Sequence, residues 1–382
     1  MDIRPFTVDV SEPALVDLRE RIARTRWPDQ YEDGGWELGT DKNYLRELVA
    51  YWADGFDWHT CAGELNWLPH FKALIDGLDI HFIHARSKVP DALPLIITHG
   101  WPGSFTEMMK IIPMLTDPER YGRDPRDAFH VVAPSIPGFG FSSKPVKPGV
   151  TPGAIAAIWT KLMSGLGYDR FCVQGGDFGS TISIWLAHNH PDQVLLLHLN
   201  MISPSLQPSA ASLAQKPLTE GEHELMKAAA RFAELEGAYA HVHRTKPQTL
   251  GYGLNDSPAG MAAWIVEKFR SWSDCGGVIE NAVSRDELLT NLSIYWFTET
   301  ITSSTRLYRE RMREPMTFEE KMKPPLGYAR FPKEPLLTTR PFCERFFDVV
   351  HWTDMPRGGH FAALEQPELL ADDLRKFFRP LR

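Results

Sequence analysis

Asp177 stands at the centre of Gly175-Gly176-Asp177-Phe178-Gly179, directly after the apolar run 170–176, which reads as a buried strand. Glycines on either side of a central residue at this spacing allow a tight strand-to-helix turn that lifts the central side chain above a sheet, a place usually held by serine. Of the other glycine pairs four apart, Gly35/Gly39 and Gly149/Gly153 follow no strand, and Gly-x-Ser-x-Gly does not occur. Taken alone, the segment reads equally as an ordinary turn with Asp177 as a helix N-cap. As a nucleophile, though, a carboxylate with a pKa of about 4 is already ionised and needs no base. Attack on an acyl carbon would give only a reactive anhydride, whereas attack on a saturated carbon with a leaving group gives an ordinary ester. The chemistry that suits Asp177 is displacement at a strained epoxide or an alkyl halide.

Two further segments supply what such a reaction needs. His99-Gly100-Trp101-Pro102-Gly103-Ser104 follows another apolar strand, so the N–H of Trp101 can join that of Phe178 as an oxyanion donor. His360, behind two glycines in "RGGHFAALEQP", follows in the chain order nucleophile, acid, histidine and is free to activate the water that cleaves the ester. The acid should leave the strand before the histidine loop; Glu334 in "YARFPKEP" fits best, with Asp348 and Asp354 as competitors. Opening an epoxide also calls for a proton donor to its oxygen. A phenol can serve, and Tyr239, Tyr252, Tyr295 and Tyr308 are available. A halide would instead want indole N–H donors, for which Trp185, Trp264, Trp272 and Trp296 stand by. The pairs His188/His190 and His241/His243 have no third partner nearby in sequence and read as surface or lid histidines, so no metal is expected.

The elements that must position these residues are legible in outline. Strands are expected at 80–85, 93–100, 129–135 and 170–176, with helices at "TEMMKIIPML" and "PGAIAAIWTKLMSGLG" between them, the alternation of an α/β sheet. Upstream, Ser11 caps a helix with Leu15, Leu18 and Ile22 on one face, and "NYLRELVAYWADGF" forms a second. Residues from about 204 to 322 read as mostly helical, with no strand alternation between. Strands return at "PLGYARFP" and "FFDVVHW", and "EQPELLADDLRKFFRPL" closes the chain as an amphipathic helix.

The 382 residues are 43% hydrophobic and 24% charged, enough for a large core; the net charge of −8 without a basic block argues against nucleic acid. Four scattered cysteines (Cys61, Cys172, Cys275, Cys343) suggest neither zinc nor disulfides and suit a reducing cytoplasm. The N-terminus lacks a signal-peptide pattern, and no apolar run is long enough to span a membrane.

Nearly the whole chain resembles the epoxide hydrolases of the α/β-hydrolase fold, of the microsomal type with an N-terminal meander domain. The resemblance is carried by "DLRERIARTRW", "YWADGFDW", "LNWLPHFKALIDGLDIHFIHARS", "HGWPGSFTE", "PSIPGFGFSS", "QGGDFGS", "LNDSPAGMAAWIVEKFRSW" and "RGGHFAALEQPELLADDLRKF". It implies Asp177 as nucleophile, Glu334 as charge-relay acid and His360 as base, and selects Tyr239 and Tyr308 as the donors to the epoxide oxygen. The product implied is a vicinal diol, formed without metal or organic cofactor. The chain begins almost at the meander, which is similar to the soluble bacterial and fungal members and leaves no membrane anchor expected. The implied organisation is a meander over 1–85, core over 86–203, helical lid over 204–322 and core again over 323–382. Trp101, Phe178, Trp264, Trp296 and Phe297 are expected to line the pocket. The expected partner is a small hydrophobic epoxide, with self-association left open. A dehalogenase using the same nucleophile, or a silent relative that only binds a small molecule, are the alternatives.

Overall fold

The computed structural model describes residues 1–203 and 205–382, so the expected first residue of the lid, Pro204, lies outside the described residues. The strands are β1 (Ile3–Phe6), β2 (His70–Ile75), β3 (Leu78–Ala85), β4 (Leu93–Thr98), β5 (Phe129–Pro134), β6 (Phe171–Gly175), β7 (Val194–Leu199), β8 (Gln207–Pro208), β9 (Thr317–Phe318), β10 (Leu326–Arg330) and β11 (Val349–Asp354). Nine of them form one sheet in the order β1-β2-β3-β5-β4-β6-β7-β10-β11. From β1 to β5 neighbours in the sheet pair antiparallel; from β5 to β11 they are all parallel.

The central strands explain their own sequence. In β4, Ile96 faces one apolar core while Leu95 and Ile97 face a second; in β5, Val132 is opposed to Val131 and Ala133; in β6, Val173 is opposed to Cys172. A parallel sheet with helices on both faces buries every residue of such strands, which is why they read as continuous apolar runs. Helices Pro152–Gly165 and Asp177–Asn189 contribute to the first core and Pro367–Phe378 to the second. The chain leaves β4 toward β5 on one side, and β6 pairs on the other, so the crevice at their C-terminal ends is where a site belongs.

Three strands of the nine-stranded sheet escaped the sequence reading. β1 is a short, half-exposed edge, β2 was taken as part of the change from helical to alternating period, and β7 hides in an unbroken apolar stretch behind a helix. The expected helix "TEMMKIIPML" is instead a single turn, Phe105–Met108, and a short helix, Ile111–Thr116. Pro113 has no N–H to continue a longer helix and its ring would crowd the preceding turn. Ser11 occupies an N-cap position without a side-chain cap bond, whereas Thr219/Glu222 and Ser284/Glu287 form complete capping boxes.

Between β7 and β10 the chain is helical as expected: Ala210–Gln215, Glu220–Leu235, Ala238–Thr245, Pro247–Leu254, Pro258–Trp272, Arg285–Phe297 and Ile301–Arg311. The two-residue strands β8 and β9, which the sequence did not announce, pair in parallel near the two ends of this insertion. A second tie is buried. The guanidinium of Arg345 donates to Glu222 at 2.7 Å and to the carbonyls of Lys216 and Pro217 at 2.8 Å each, fixing the start of helix Glu220–Leu235 to the segment before β11. Among the described residues no helix is long and apolar enough to cross a membrane. All four cysteines are buried and free.

Candidate active site

β6 ends at Gly175 and the helix Asp177–Asn189 begins two residues later, with Gly176 in the N-cap position and Asp177 as the first helical residue. Asp177 has φ of 47°, a conformation that strains any residue with a Cβ and is kept only because its neighbours yield space. Gly179 is one such neighbour: a Cβ there would lie 1.9 Å from the Thr98 carbonyl oxygen on β4. Gly100 is another, since its own Cβ would meet the Asp177 side chain at 2.3 Å. The turn therefore presses the carboxylate against the loop that follows β4, at the N-terminal end of a helix, where negative charge is favoured.

One oxygen of that carboxylate, Oδ1, accepts the Trp101 backbone N–H at 2.9 Å. The other, Oδ2, lies 3.6 Å from Nε2 of His360. Burial alone would raise the Asp177 pKa, but the hydrogen bond and charge of His360, with the N–H groups of Trp101 and Phe178, outweigh it and hold the carboxyl below its ordinary value. Nδ1 of His360 donates to Glu334 Oε2 at 2.7 Å, and Glu334 is 3% exposed. Desolvation would push His360 down; the charge of Glu334 and the bonds to Asp177 and Glu334 prevail and hold it well above its ordinary value. Of the competing acids, Asp348 is exposed and Asp354 accepts from Arg330 at 2.5 Å, so Glu334 is the carboxylate that reaches His360.

The histidine loop is pinned from outside the triad. Gly358 donates to Asp274 at 2.9 Å, Gly359 to Glu365 at 3.0 Å, and the His360 N–H to the Trp272 carbonyl at 2.9 Å, while Phe361 stacks on Phe269 with centroids 4.2 Å apart. The oxyanion loop is propped in the same way by helix Arg285–Phe297: Asn291 donates to the Pro102 carbonyl at 2.8 Å and Tyr295 to the Gly103 carbonyl at 2.7 Å.

Above Asp177 the aromatic side chains close in. Tyr239 stacks on Trp101 at 5.4 Å with the planes 9° apart, and Tyr308 stands edge-on to Trp101 at 5.7 Å and to Phe178 at 4.7 Å. The two tyrosine rings are 5.9 Å apart. Burial, and the negative charge of Asp177, raise both phenols above their ordinary value, so both keep their protons. The remaining tyrosine candidates fall away: Tyr295 is committed to the oxyanion loop, and Tyr252 is exposed.

The expected pocket lining needs correction at its far end. Trp101 and Phe178 face the tyrosines, and Trp264 stands one layer back, donating to Nε2 of His243 at 3.0 Å. Trp296 and Phe297 are not in the wall: Arg21 lies 5.8 Å from the ring of Trp296, and Phe297 packs against Trp58 at 5.1 Å. Because their helix turns Asn291 and Tyr295 toward the oxyanion loop, the next two positions rotate onto the N-terminal helices. The histidine pairs separate as well. His241 is exposed, while His243 is fully buried against Trp101 and Tyr308 at 4.7 and 4.8 Å. His188 is exposed and packs on Phe318 at 4.4 Å.

Two residues near the site were missed from sequence. Glu107 shares a cavity of about 20 Å³, room for one water molecule, with Asp177, His360, Gln174 and Asn200. Burial first, and the charge of Asp177 next, push its carboxyl up to about 8. Its signal was an acid set between Phe105 and Met108 just after "HGWPGS". Lys268 lies buried over the ring of Tyr239, and only its place one helical turn before Trp272 hinted at this.

The arrangement can hold a carboxylate ready to attack, stabilise an oxyanion on its carbonyl, and activate a water beside it. Comparisons with known proteins agree along the whole chain. Residues 3–108 match the model described as epoxide hydrolase N terminus, and 94–256 that of the alpha/beta hydrolase fold. The pig protein called epoxide hydrolase 1 is 41% identical, covering 98% of this chain and 88% of its own. The crystal structure of juvenile hormone epoxide hydrolase from the silkworm Bombyx mori superposes with a TM-score of 0.86 at 33% identity, over 100% of this chain and 95% of that one. The Aspergillus niger epoxide hydrolase does so with 0.85 at 32%, over 100% and 97%. Similarity of this extent, added to a sheet and a carboxylate turn built in this way, makes the chain a member of the epoxide hydrolase family with the α/β-hydrolase fold.

Proposed function

We propose that the protein hydrolyses epoxides to vicinal diols through an ester on Asp177, in the following steps. Oδ1 is engaged by the Trp101 N–H, so Oδ2 attacks the epoxide carbon. The C–O bond of the ring breaks, its electron pair passes to the ring oxygen, and Tyr239 and Tyr308 donate to that oxygen. The N–H groups of Trp101 and Phe178 then face the ester carbonyl. Esterification removes the negative charge of Asp177, one of the causes that keep His360 protonated, so the imidazole becomes available as a base. It takes a proton from water, the hydroxide adds to the Asp177 carbonyl carbon, and the adduct collapses, expelling the diol oxygen, which takes the proton back from His360, and leaving on the Asp177 carboxyl the proton that restores the tyrosine. A small hydrophobic epoxide is the substrate this aromatic enclosure fits. The segments 1–85 and 323–382, in this reading, flank and complete the core, and the helices of the lid carry the proton donors.

The observation that carries the reading is the placement of a left-handed Asp177 between an N–H donor and a histidine paired with a buried glutamate. Its test is a trapped intermediate. Asp177→Ala should form no diol from styrene oxide while keeping its fold, and His360→Gln should gain the mass of one substrate on incubation. A substrate that binds His360→Gln without leaving any adduct would refute the covalent route.

A further inference from the structure

Helix Pro258–Trp272 presents Trp264, Lys268 and Trp272, each four residues apart, along one line of its surface. Facing them on helix Ala238–Thr245 are Tyr239 and His243, also four apart. The pairs interlock: Trp264 donates to His243 at 3.0 Å, Lys268 Nζ lies 4.6 Å from the centre of the Tyr239 ring, and Trp272 packs on Tyr239 at 5.3 Å and on His360 at 5.0 Å. Lys268 is 6% exposed. An ammonium is rarely held out of water without a reason, and its carboxylate partner, Glu267, sits beside it on the same helix, where both could have been solvated.

The other charged and titratable groups around Tyr239 are Asp177 and Glu334 from the core, and Arg311 with Tyr308 from helix Ile301–Arg311. Arg311 lies over Phe178 at 5.9 Å. Burial first and the charge of Lys268 next push His243 down to about 3, so this histidine stays neutral. Among the described residues no cation lies over the ring of Tyr308, so Lys268 breaks the equivalence of the two tyrosines.

We propose that Lys268 is a positioning residue for ring opening: its ammonium, seated on the face of Tyr239, holds that ring in place and favours the negative charge its oxygen gains as its proton shifts to the epoxide oxygen. The inference rests on Tyr239 being a donor, as read above. It makes Tyr239 the stronger acid of the pair.

Single-turnover kinetics on the full chain tests this by separating ester formation from ester hydrolysis. Lys268→Met should slow ester formation on the order of tenfold, the magnitude of a desolvated cation–aromatic contact, and leave ester hydrolysis unchanged. Lys268→Arg, whose guanidinium also binds aromatic faces, should recover most of the loss and serves if the Met variant does not fold. Tyr239→Phe should cost more than Tyr308→Phe, and adding Lys268→Met to Tyr239→Phe should cost nothing further. Additive losses in that double variant, or equal slowing of both steps by Lys268→Met, would overturn the proposal. Normal ester formation by Tyr239→Phe alone would instead remove the donor role of Tyr239 on which it rests.

Discussion

At the scale of single residues, the site separates two protonation requirements that a serine nucleophile would combine. Asp177 is held below the ordinary carboxylate range, so ester formation should persist into acid solution. His360 must be neutral to accept a proton from water, and Glu334, still charged at 2.7 Å after Asp177 is esterified, keeps its affinity for protons high. Hydrolysis should therefore weaken first as pH falls. With saturating epoxide, the esterified fraction read by intact-mass measurement should grow as the solution is acidified, because the base gains its proton while the nucleophile stays ionised. A fraction that shrinks on acidification would contradict this order. Each tyrosine alone should sustain part of the ring opening, and replacing both Tyr239 and Tyr308 with Phe should nearly stop diol formation in a steady-state assay. Asp177 and His360 were legible in sequence because turn glycines and chain order mark them, whereas spacing only favoured Glu334 over Asp348 and Asp354, and its hydrogen bond to His360 is what singles it out. Lys268 and Glu107 were not legible, since what distinguishes each is a partner brought close only by the fold.

At the scale of elements, the carboxylate turn depends on backbones that touch. The added methyl in Gly179→Ala would collide with the Thr98 carbonyl of the central strand β4, which has no freedom to withdraw. Thermal or denaturant unfolding of this variant should show a loss on the order of 3 kcal/mol, the upper range for single substitutions, together with lost activity. An unchanged unfolding midpoint would mean that β4 and the turn are less tightly opposed. The central strands could be read from sequence because burial on both faces writes an unbroken apolar run. The supports of the oxyanion loop could not: Asn291 reaches the Pro102 carbonyl across 189 positions of chain, and Tyr295 that of Gly103 across 192, which no local period records. The same cause misdirected Trp296 and Phe297, whose aromatic character says nothing about which way their helix is turned.

At the scale of the whole molecule, the helical insertion shares one apolar core with the sheet and is joined to it by many hydrogen bonds, and its first part is secured by the buried pair of Arg345 and Glu222. Arg345→Ala would leave the Glu222 carboxylate buried without its cation and free the carbonyls of Lys216 and Pro217, a costly loss compared with that of a surface pair. Limited proteolysis of this variant should cut first within 216–235 while the sheet stays intact; resistance equal to the native chain would show that other contacts suffice. The insertion was visible in sequence as a long helical stretch, but its fastenings were not, because Arg345 and Glu222 are far apart in the chain and each looks like an ordinary surface charge. The stack of Tyr239 on Trp101, which roofs the nucleophile, has a practical side as well. An epoxide seated on Asp177 beneath those rings changes the surroundings of Trp101 and of Trp272 beside it. Intrinsic fluorescence should then register arrival, covalent capture and release of the substrate in sequence, giving the protein an optical clock of its own turnover without any label.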